Sequence, residues 1–203
     1  MKKAKDKTTE SQILDAAEQV FQAKGMYGAR MQEIADKAGI NKAMVHYYYR
    51  NKQLLFEAVF AKAFSLLAPQ LNAILNDGST IEDKIRNFTS NYISFMVKHP
   101  YLPGFVIQEL NRNPNFILKI QENKAFPNIE KFKKQVKNEI EKGWIKPIDA
   151  EQLFINILAL NLFPFVAKPI IKAFTNTNDD TFEQLMDARK TEVANFIINS
   201  IKK

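Results

Sequence analysis

The sequence has no cysteine, and it is poor in other residue types that mark particular classes of protein. Without cysteine the chain can form neither disulfides nor thiolate metal ligands, and it has no cysteine nucleophile. Six glycines and eight prolines in 203 residues are too few for a fold of many turns, which favours helices over a β-sandwich. We therefore expect an all-α protein that works in a reducing compartment, the cytoplasm.

Residues that carry catalysis or bind metals are scarce as well. The two histidines, His46 and His99, are distant in the sequence, and no glycine-rich phosphate loop or metal-ligand spacing occurs. The adjacent acids Glu82 and Asp83 suit the first turn of a helix better than a catalytic pair, and so do Asp179 and Asp180. We expect no enzymatic activity, no metal site and no cofactor.

Uninterrupted long apolar runs are also missing. The most hydrophobic stretch, residues 153–174, is broken by Asn156, Asn161, Pro164, Lys168 and Pro169, which favours a buried helix over a membrane span. The first ten residues are basic but lead into no apolar segment, which argues against a secretory signal. We therefore expect no association with a membrane.

Positive charge is what the sequence has in excess. The net charge of +7 makes an anionic partner plausible, with nucleic acid first and anionic lipid second. Residues 1–52 hold 10 basic and 6 acidic side chains, so the excess is densest near the N-terminus. The anionic partner is therefore expected to meet the N-terminal part of the chain.

Apolar residues recur at helical spacing through most of the chain, and capping residues separate the helices. Residues 45–49 are β-branched and aromatic enough for a strand, but the spacing of their neighbours favours a helix. The lysines of the first seven residues are expected in a disordered tail. About nine helices are predicted, at residues 11–25, 31–38, 42–48, 53 to either 69 or 76–78, 81–99, 102–110, 116–142 with a possible kink at Pro127, 149–173 and 182–201.

The second and third predicted helices meet at a tight turn, Ala38-Gly39-Ile40. This is the layout of a helix-turn-helix, in which glycine relieves the turn and the following helix enters the major groove of DNA. Asn41 is a good N-cap for that following helix. The same turn also joins ordinary helical hairpins, so the spacing alone leaves both interpretations open.

Three stretches of the first 60 residues carry a more specific pattern. They are Ile13-Leu14-x-Ala16-Ala17-x-x-x-Phe21-x-x-x-Gly25, then Ile34-Ala35-x-x-Ala38-Gly39-Ile40-Asn41, then Tyr47-Tyr48-Tyr49-x-Asn51-Lys52-x-x-Leu55-Phe56. Nearly position by position they resemble the DNA-binding domain of the tetracycline-repressor (TetR) family. The resemblance implies a three-helix helix-turn-helix domain over residues 1–55, with the fourth helix from about residue 53 connecting it to a helical effector-binding and dimerisation domain over residues 56–203.

The resemblance also implies a function. Members of this family are sequence-specific transcriptional regulators, and most are repressors that leave a palindromic operator when an effector binds. The last two helices of each subunit pair with those of a second subunit, which makes a homodimer. Activation of transcription is the alternative within the family.

The family's DNA contacts map onto residues around the turn. Lys42 and Ala43 open the recognition helix, where base edges are read, and Met44 and His46 follow. Tyr47, Tyr48 and Lys52 lie at phosphate-binding positions, which set register without reading sequence. The full implied set is Arg30, Gln32, Asn41, Lys42, Ala43, Met44, His46, Tyr47, Tyr48 and Lys52.

Two of these positions depart from the family pattern, and several have a simpler explanation. Arg30 stands where the family has a capping Thr or Ser, and His46 where Tyr is common. Arg30 and Lys52 also fit as solvated surface charges, and Tyr48 fits equally well as a packing residue.

The C-terminal domain is rich in phenylalanine, which is consistent with a lipophilic or aromatic effector and equally with an ordinary core. The candidate effector pocket consists of Phe88, Tyr92, Phe105 and Asn156. An alternative function from another class is a helical module that binds protein or anionic membrane through the basic face of residues 131–142.

Overall fold

The computed structural model describes residues 2–112, 118, 121–122 and 126–203, without the side chains of residues 2–7, 105, 108–109 and 112. These residues form ten α-helices and no strand, apart from one isolated antiparallel bridge between Ile145 and Lys202. The predicted all-α class is confirmed. The helices are α1 Lys2–Gly28, α2 Met31–Ala38, α3 Lys42–Tyr48, α4 Lys52–Asn76, α5 Ile81–Lys98, α6 Leu102–Arg112, α7 Glu130–Glu141, α8 Ala150–Val166, α9 Lys168–Thr175 and α10 Asp179–Ile201.

The chain divides into two compact units, Met1–Ser65 and Leu66–Lys203, and the division lies within α4. In the N-terminal unit, α2 packs against both α1 and α3. Phe21 and Phe56 are fully buried, with ring centroids 4.6 Å apart. Aromatic pairs at this distance add to the stabilisation from burial. The other fully buried residues of this core are Ile13, Ala17, Ile34, Ala35, Val45, Leu55 and Val59.

The first helix is longer than its apolar pattern predicts. It begins at Lys2, so the prediction of a disordered tail over the first seven residues is wrong for the backbone from residue 2. The predicted stop at Gly25 is visible as a break, because Gly25 has φ 66° and ψ 176° inside the helix. Glycine adopts a positive φ without steric cost, which lets the chain turn here before one more short helical stretch.

The C-terminal unit is built around α5, which packs along α10 and also contacts α7 and α8. Three of its helices begin at side-chain caps: Thr80 accepts from the Asp83 amide, Asp149 from the Gln152 amide, and Asn178 from the Thr181 amide. Such caps satisfy amides that have no partner within the helix. The fully or almost fully buried core includes Ile81, Ile85, Phe88, Ile93, Phe132, Val136, Leu153, Ile157, Phe182, Met186, Ala194 and Ile201.

Two predicted helices of this unit change in the structure. The predicted long helix over residues 116–142 is wrong at residues 126–129, which are not helical, and much of its first part lies outside the described residues. Pro127 has no amide hydrogen, and the Asn128 carboxamide accepts from the Glu130 amide at 2.8 Å, so α7 begins only there. The predicted single helix over residues 149–173 is wrong because it breaks at Ala167 into α8 and α9. By contrast, α4 continues through Pro69 to Asn76, the later of its two predicted ends.

Some helices are apolar enough to cross a membrane by length and composition alone. One of them is α4. The pair of α8 and α9 also passes this test if the two helices, which are bent by 78° relative to each other, are counted as one span. Leu55, Phe56, Val59, Leu71 and Leu75 of α4 are nevertheless buried within the chain. A core helix of this kind passes the same test, so the hydropathy of α4 is explained by the core residues that it contributes to each unit separately.

Candidate nucleic-acid interface

The turn between α2 and α3 is closed by backbone hydrogen bonds around Gly39. Its φ of 68° and ψ of 28° are left-handed, and its amide donates to the Asp36 carbonyl at 3.2 Å. The Ile40 amide donates to the Ala35 carbonyl at 3.1 Å. This pairing satisfies the last carbonyls of α2 and needs a residue without Cβ strain, as the sequence predicted.

α3 packs against α2 through one buried residue, and a side-chain cap orders its first turn. Val45 is fully buried, as are Ile34 and Ala35 of α2. The Asn41 side chain accepts from the Met44 amide at 2.8 Å, which fixes the first turn of α3. A helix anchored by one buried residue per two turns exposes most of its remaining side chains, so α3 can meet a partner surface.

The predicted DNA-binding residues all lie in the N-terminal unit, and none of them is buried. Tyr47 is 79% exposed and Met44 is 37% exposed, which is unusual for such large side chains in a folded unit. The rings of Tyr47 and Tyr48 meet edge to face with centroids 5.4 Å apart. The exposed members are Arg30, Gln32, Asn41, Lys42, Ala43, Met44, His46 and Tyr47, whereas Tyr48 and Lys52 are half-buried.

Several of these side chains already have partners within the unit. The Gln32 amide donates to the Asp36 carboxylate at 2.8 Å, so a base contact by Gln32 would compete with it. His46 Nδ1 lies 3.2 Å from the Arg50 carbonyl. Because a carbonyl oxygen only accepts, this contact places the proton on Nδ1 and leaves Nε2 exposed.

Lys52 has a structural role that the sequence did not reveal. Its ammonium donates to the carbonyl of Tyr27, at the end of α1, at 3.2 Å and to that of Ala29, between α1 and α2, at 3.0 Å. It therefore ties the start of α4 to the segment that leads into the helix-turn-helix. A lysine has three donors, so one remains for a phosphate.

Tyr49, at the end of α3, belongs to the packing of the unit. It is half-buried, and its hydroxyl donates to Glu10 of α1 at 3.2 Å. Burial, and then the charge of Glu10, raises the pKa of the Tyr49 phenol well above its ordinary value. Tyr49 therefore stays neutral and holds the end of α3 to α1.

The start of α2 lacks a side-chain cap, because Arg30 occupies the N-cap position without making that hydrogen bond. Replacing Arg30 with serine is expected to raise the free energy of unfolding by about 0.5–1 kcal/mol, since serine caps such amides. The same change removes a candidate phosphate contact, so the slope of log affinity for DNA against log salt should fall in magnitude by about 0.9. Urea unfolding and salt titrations of DNA binding measure the two effects; an unchanged salt slope would exclude Arg30 as a phosphate ligand.

The structure brings together two of the four predicted effector-pocket residues. Phe88 and Tyr92 are buried and stack on each other at 5.6 Å, and Phe154 meets Phe88 edge to face at 6.2 Å. Burial raises the pKa of the Tyr92 phenol above its ordinary value. Asn156 is exposed and does not join them. Phe105 lies on α6, and its side chain is outside the described residues.

The sequence did not predict two features of the C-terminal unit, a buried amide side chain and a cavity. The buried amide of α8 is Asn161, which donates to Thr89 of α5 at 3.2 Å and to the Ile157 carbonyl at 2.7 Å. The described part of the chain also has a cavity of about 550 Å³ between α7 and the start of α8, and the predicted aromatic set does not line it. In those same residues no three His, Cys, Asp or Glu side chains are grouped so that they could hold a metal ion.

Comparison with protein families identifies the N-terminal unit. The family model of bacterial regulatory proteins, tetR family, matches residues 13–59. This range covers the buried part of α1, the whole of α2 and α3, and the start of α4. The match and the exposed face of α3 therefore concern the same segment.

Among curated proteins the chain is similar to several regulators with a helix-turn-helix. It is 25% identical to the probable HTH-type transcriptional regulator YttP of Bacillus subtilis over 115 residues. These residues cover 56% of this chain and 56% of YttP. It is 22% identical over 172 residues to the HTH-type transcriptional regulator RutR of Escherichia coli K12, covering 84% of this chain and 81% of RutR. The match to YttP thus spans about half the length of that relative.

Solved structures share the fold over nearly the whole chain. The transcriptional regulator FadR from Bacillus subtilis, in complex with stearoyl-CoA, has a TM-score of 0.64 and 19% identity, covering 93% of this chain and 97% of FadR. The haemolysin II transcriptional regulator HlyIIR has a TM-score of 0.61 and 21% identity, covering 97% of this chain and 98% of HlyIIR. At this level of identity the similarity establishes a common fold.

Proposed function

We propose that this chain, which belongs to the tetR family of bacterial regulatory proteins, is a cytoplasmic repressor that binds a specific DNA site and leaves it when an effector binds. The observation that carries the proposal is the open face of α3, where Lys42, Met44, His46 and Tyr47 are all exposed directly after the Gly39 turn. A helix with this arrangement can enter the major groove by its N-terminal residues.

Each exposed group has a defined task in this proposal. Lys42 donates to guanine O6 or N7, and Ala43 allows a close approach or contacts a thymine methyl. Tyr47, Tyr48 and Arg30 bind phosphates, and so does the remaining donor of Lys52. Residues 1–55 form the DNA-binding part, and residues 56–203 form the effector-binding and dimerisation part.

A homodimer through the last long helices is the second element of the proposal. α8 carries no charged residue after Glu151, yet Ile155, Phe163 and Val166 on it are exposed, by 52%, 58% and 37%. On α10, Leu185 and Phe196 are 39% and 66% exposed. Apolar surface of this extent on a soluble protein marks an interaction site. A two-fold dimer places two recognition helices roughly 34 to 36 Å apart, which matches successive major grooves of a palindromic site.

A charge in the middle of this surface is expected to separate the subunits. The variant Phe163→Glu would bury an unpaired carboxylate at the interface, which raises the dimer dissociation constant by at least about tenfold. Sedimentation equilibrium measures the constant. The control is Tyr27→Glu. Tyr27 is an aromatic residue of the N-terminal unit that is 66% exposed, and this variant should remain dimeric. A Phe163→Glu protein that dimerises as tightly as wild type would exclude this face.

Effector release is the third element. The phenylalanine-rich C-terminal unit suits a lipophilic effector, and the structurally similar FadR has been crystallised with stearoyl-CoA. An effector that binds better to the conformation with low DNA affinity shifts the population toward that conformation. Transcription from the bound promoter in the presence and absence of the protein distinguishes repression from activation.

The experiment that tests the whole proposal begins with DNA selection. Genomic fragments bound by the purified protein are selected and sequenced, and affinity for the recovered site is measured by fluorescence anisotropy at several salt concentrations. We expect two subunits per inverted repeat and an affinity at least about 10³-fold above that for random duplex. Equal affinity for random duplex and the recovered fragments would refute sequence-specific binding.

A further inference from the structure

We propose that the cavity between α7 and the start of α8 binds an amphiphilic anion, a molecule with a carboxylate or phosphate head on an apolar chain. The cavity has a volume of about 550 Å³, which is the size of a small-molecule site. This assignment rests on the proposed function, because it names the chemical class of effector that the C-terminal unit senses.

The floor of the cavity is apolar. Val136 is fully buried beneath it, and Ile140, Ile148 and Ala150 are half-buried along it. When an apolar ligand covers apolar side chains that are partly exposed inside a concave site, the removal of this surface from water favours binding. An alkyl chain fits this floor, which offers no hydrogen-bonding side chain of its own.

The wall formed by α7 has its positive charge at the centre. Lys133, Lys134 and Lys137 line the middle of the cavity, whereas the acids Glu130 and Glu141 stand at the two ends of the same helix. Lys133 is engaged by Glu130 at 3.2 Å and by Glu151 at 2.6 Å. Lys133 therefore bridges α7 to α8 and braces the cavity.

Two lysines of the wall remain available. Within the described residues neither Lys134 nor Lys137 has a hydrogen bond or an ion pair, and both residues are exposed. They are three positions apart on α7, so they project from neighbouring turns of one face. Across the cavity Asp149 caps α8 by accepting from the Gln152 amide at 2.8 Å, and it has no ion pair with either of these lysines. Lys134 and Lys137 are therefore the two charges of the wall that an anionic head can pair with.

The floor also continues into the interior of the unit. Phe132 lies one turn before Val136 on α7, is fully buried, and meets the ring of Phe154 at 6.3 Å. Phe154 in turn meets Phe88, which stacks on Tyr92 of α5. A ligand that moves Val136 would therefore press on a continuous row of aromatic rings from α7 to α5, which gives the cavity a route to the core.

Isothermal titration calorimetry of the full chain with three dodecyl probes tests the assignment. Laurate and dodecyl phosphate carry the two anionic heads, and methyl laurate has the same chain without charge. We expect at least one anion to bind tenfold or more tightly than methyl laurate, and the stronger of the two identifies the head group. Equal affinity for all three probes, or no binding of either anion, would overturn the proposal.

Variants locate the binding. Lys134→Gln combined with Lys137→Gln should weaken anion binding at least tenfold and leave methyl laurate unchanged. Lys202→Gln, an exposed lysine outside the cavity, is the control and should match wild type. Ala150→Leu, which fills the floor, should weaken all three probes, and circular dichroism checks that each variant is folded. Wild-type anion affinity in the double variant would place the site elsewhere. DNA binding by the ligand-free protein is measured separately, so failure of this assignment is distinguishable from failure of the proposed function.

Discussion

Replacing Lys42 with alanine is expected to weaken binding to the selected DNA site by about 10- to 100-fold, the range of one lost base contact. Lys42 is the first residue of α3 and is exposed, and Asn41 fixes the turn that carries it. Since the lost contact is to a base, the loss should be greatest at one position of the site. Affinity for random duplex should fall much less. Fluorescence anisotropy on the selected site and on single-base variants of it measures both.

Matched variants separate base reading from phosphate binding. Tyr47→Phe removes one hydroxyl from a residue proposed to contact phosphate, so it should weaken specific and random DNA about equally. Lys190→Ala removes a lysine that is paired with Asp187 at 2.7 Å in the C-terminal unit, and it should change neither. If Lys42→Ala lowers affinity for random and specific DNA by the same factor, Lys42 binds phosphate and reads no base.

The N-terminal unit could be predicted closely because its signals are local. Gly39 adopts the left-handed conformation that its turn requires, and Asn41 caps the helix that follows. Ile34, Ala35 and Val45 are buried at the spacing of two short crossing helices. The internal hydrogen bonds of this unit were not predictable in the same way. Lys52 binds carbonyls that are more than twenty positions away in the sequence, and no periodicity encodes such a contact.

The C-terminal unit was harder because α8 is apolar on all sides. A helix without a polar face gives no indication of which side is buried. Asn156 and Asn161 are five positions apart, so they point in different directions, and only the structure shows that Asn161 is the buried one. α9 carries Pro169 in its first turn, just after the break at Ala167, whereas α4 continues through Pro69. Whether a proline ends a helix is decided by the packing around it, which the sequence does not show.

Lys84 is the largest departure from what the sequence predicts, because it is a lysine with a completely buried side chain. It lies on α5 between the core residues Ile81 and Ile85. Its ammonium donates to the Ile74 carbonyl at 2.9 Å, to the Asp77 carbonyl at 3.2 Å and to the Asp77 carboxylate. All three donors are used, so the charge is satisfied. Through the Ile74 carbonyl, Lys84 caps the end of α4 and fixes it to the start of α5.

The variant Lys84→Met is expected to lower the free energy of unfolding by about 2–3 kcal/mol, as for loss of hydrogen bonds to a charged group. Methionine nearly preserves the volume, so the loss comes from the unpaired Ile74 carbonyl more than from a cavity. Urea unfolding followed by circular dichroism measures it. Lys190→Met breaks another lysine–aspartate pair at the surface and should cost less than about 1 kcal/mol.

The pH dependence of this difference tests the role of the Asp77 charge. Hydrogen bonds from Lys84 and then Ser79 lower the pKa of Asp77 from 3.8 to about 2. A carboxylate with a lowered pKa in the folded state stabilises the fold fully above its unfolded pKa, and this stabilisation is lost as the pH falls toward the folded pKa. The difference in the free energy of unfolding between wild type and Lys84→Met should therefore be constant from pH 7 to about pH 5. It should become smaller between about pH 4 and pH 2. A gap that stays constant down to pH 3 would mean that the backbone carbonyls, rather than the Asp77 charge, provide the stabilisation by Lys84.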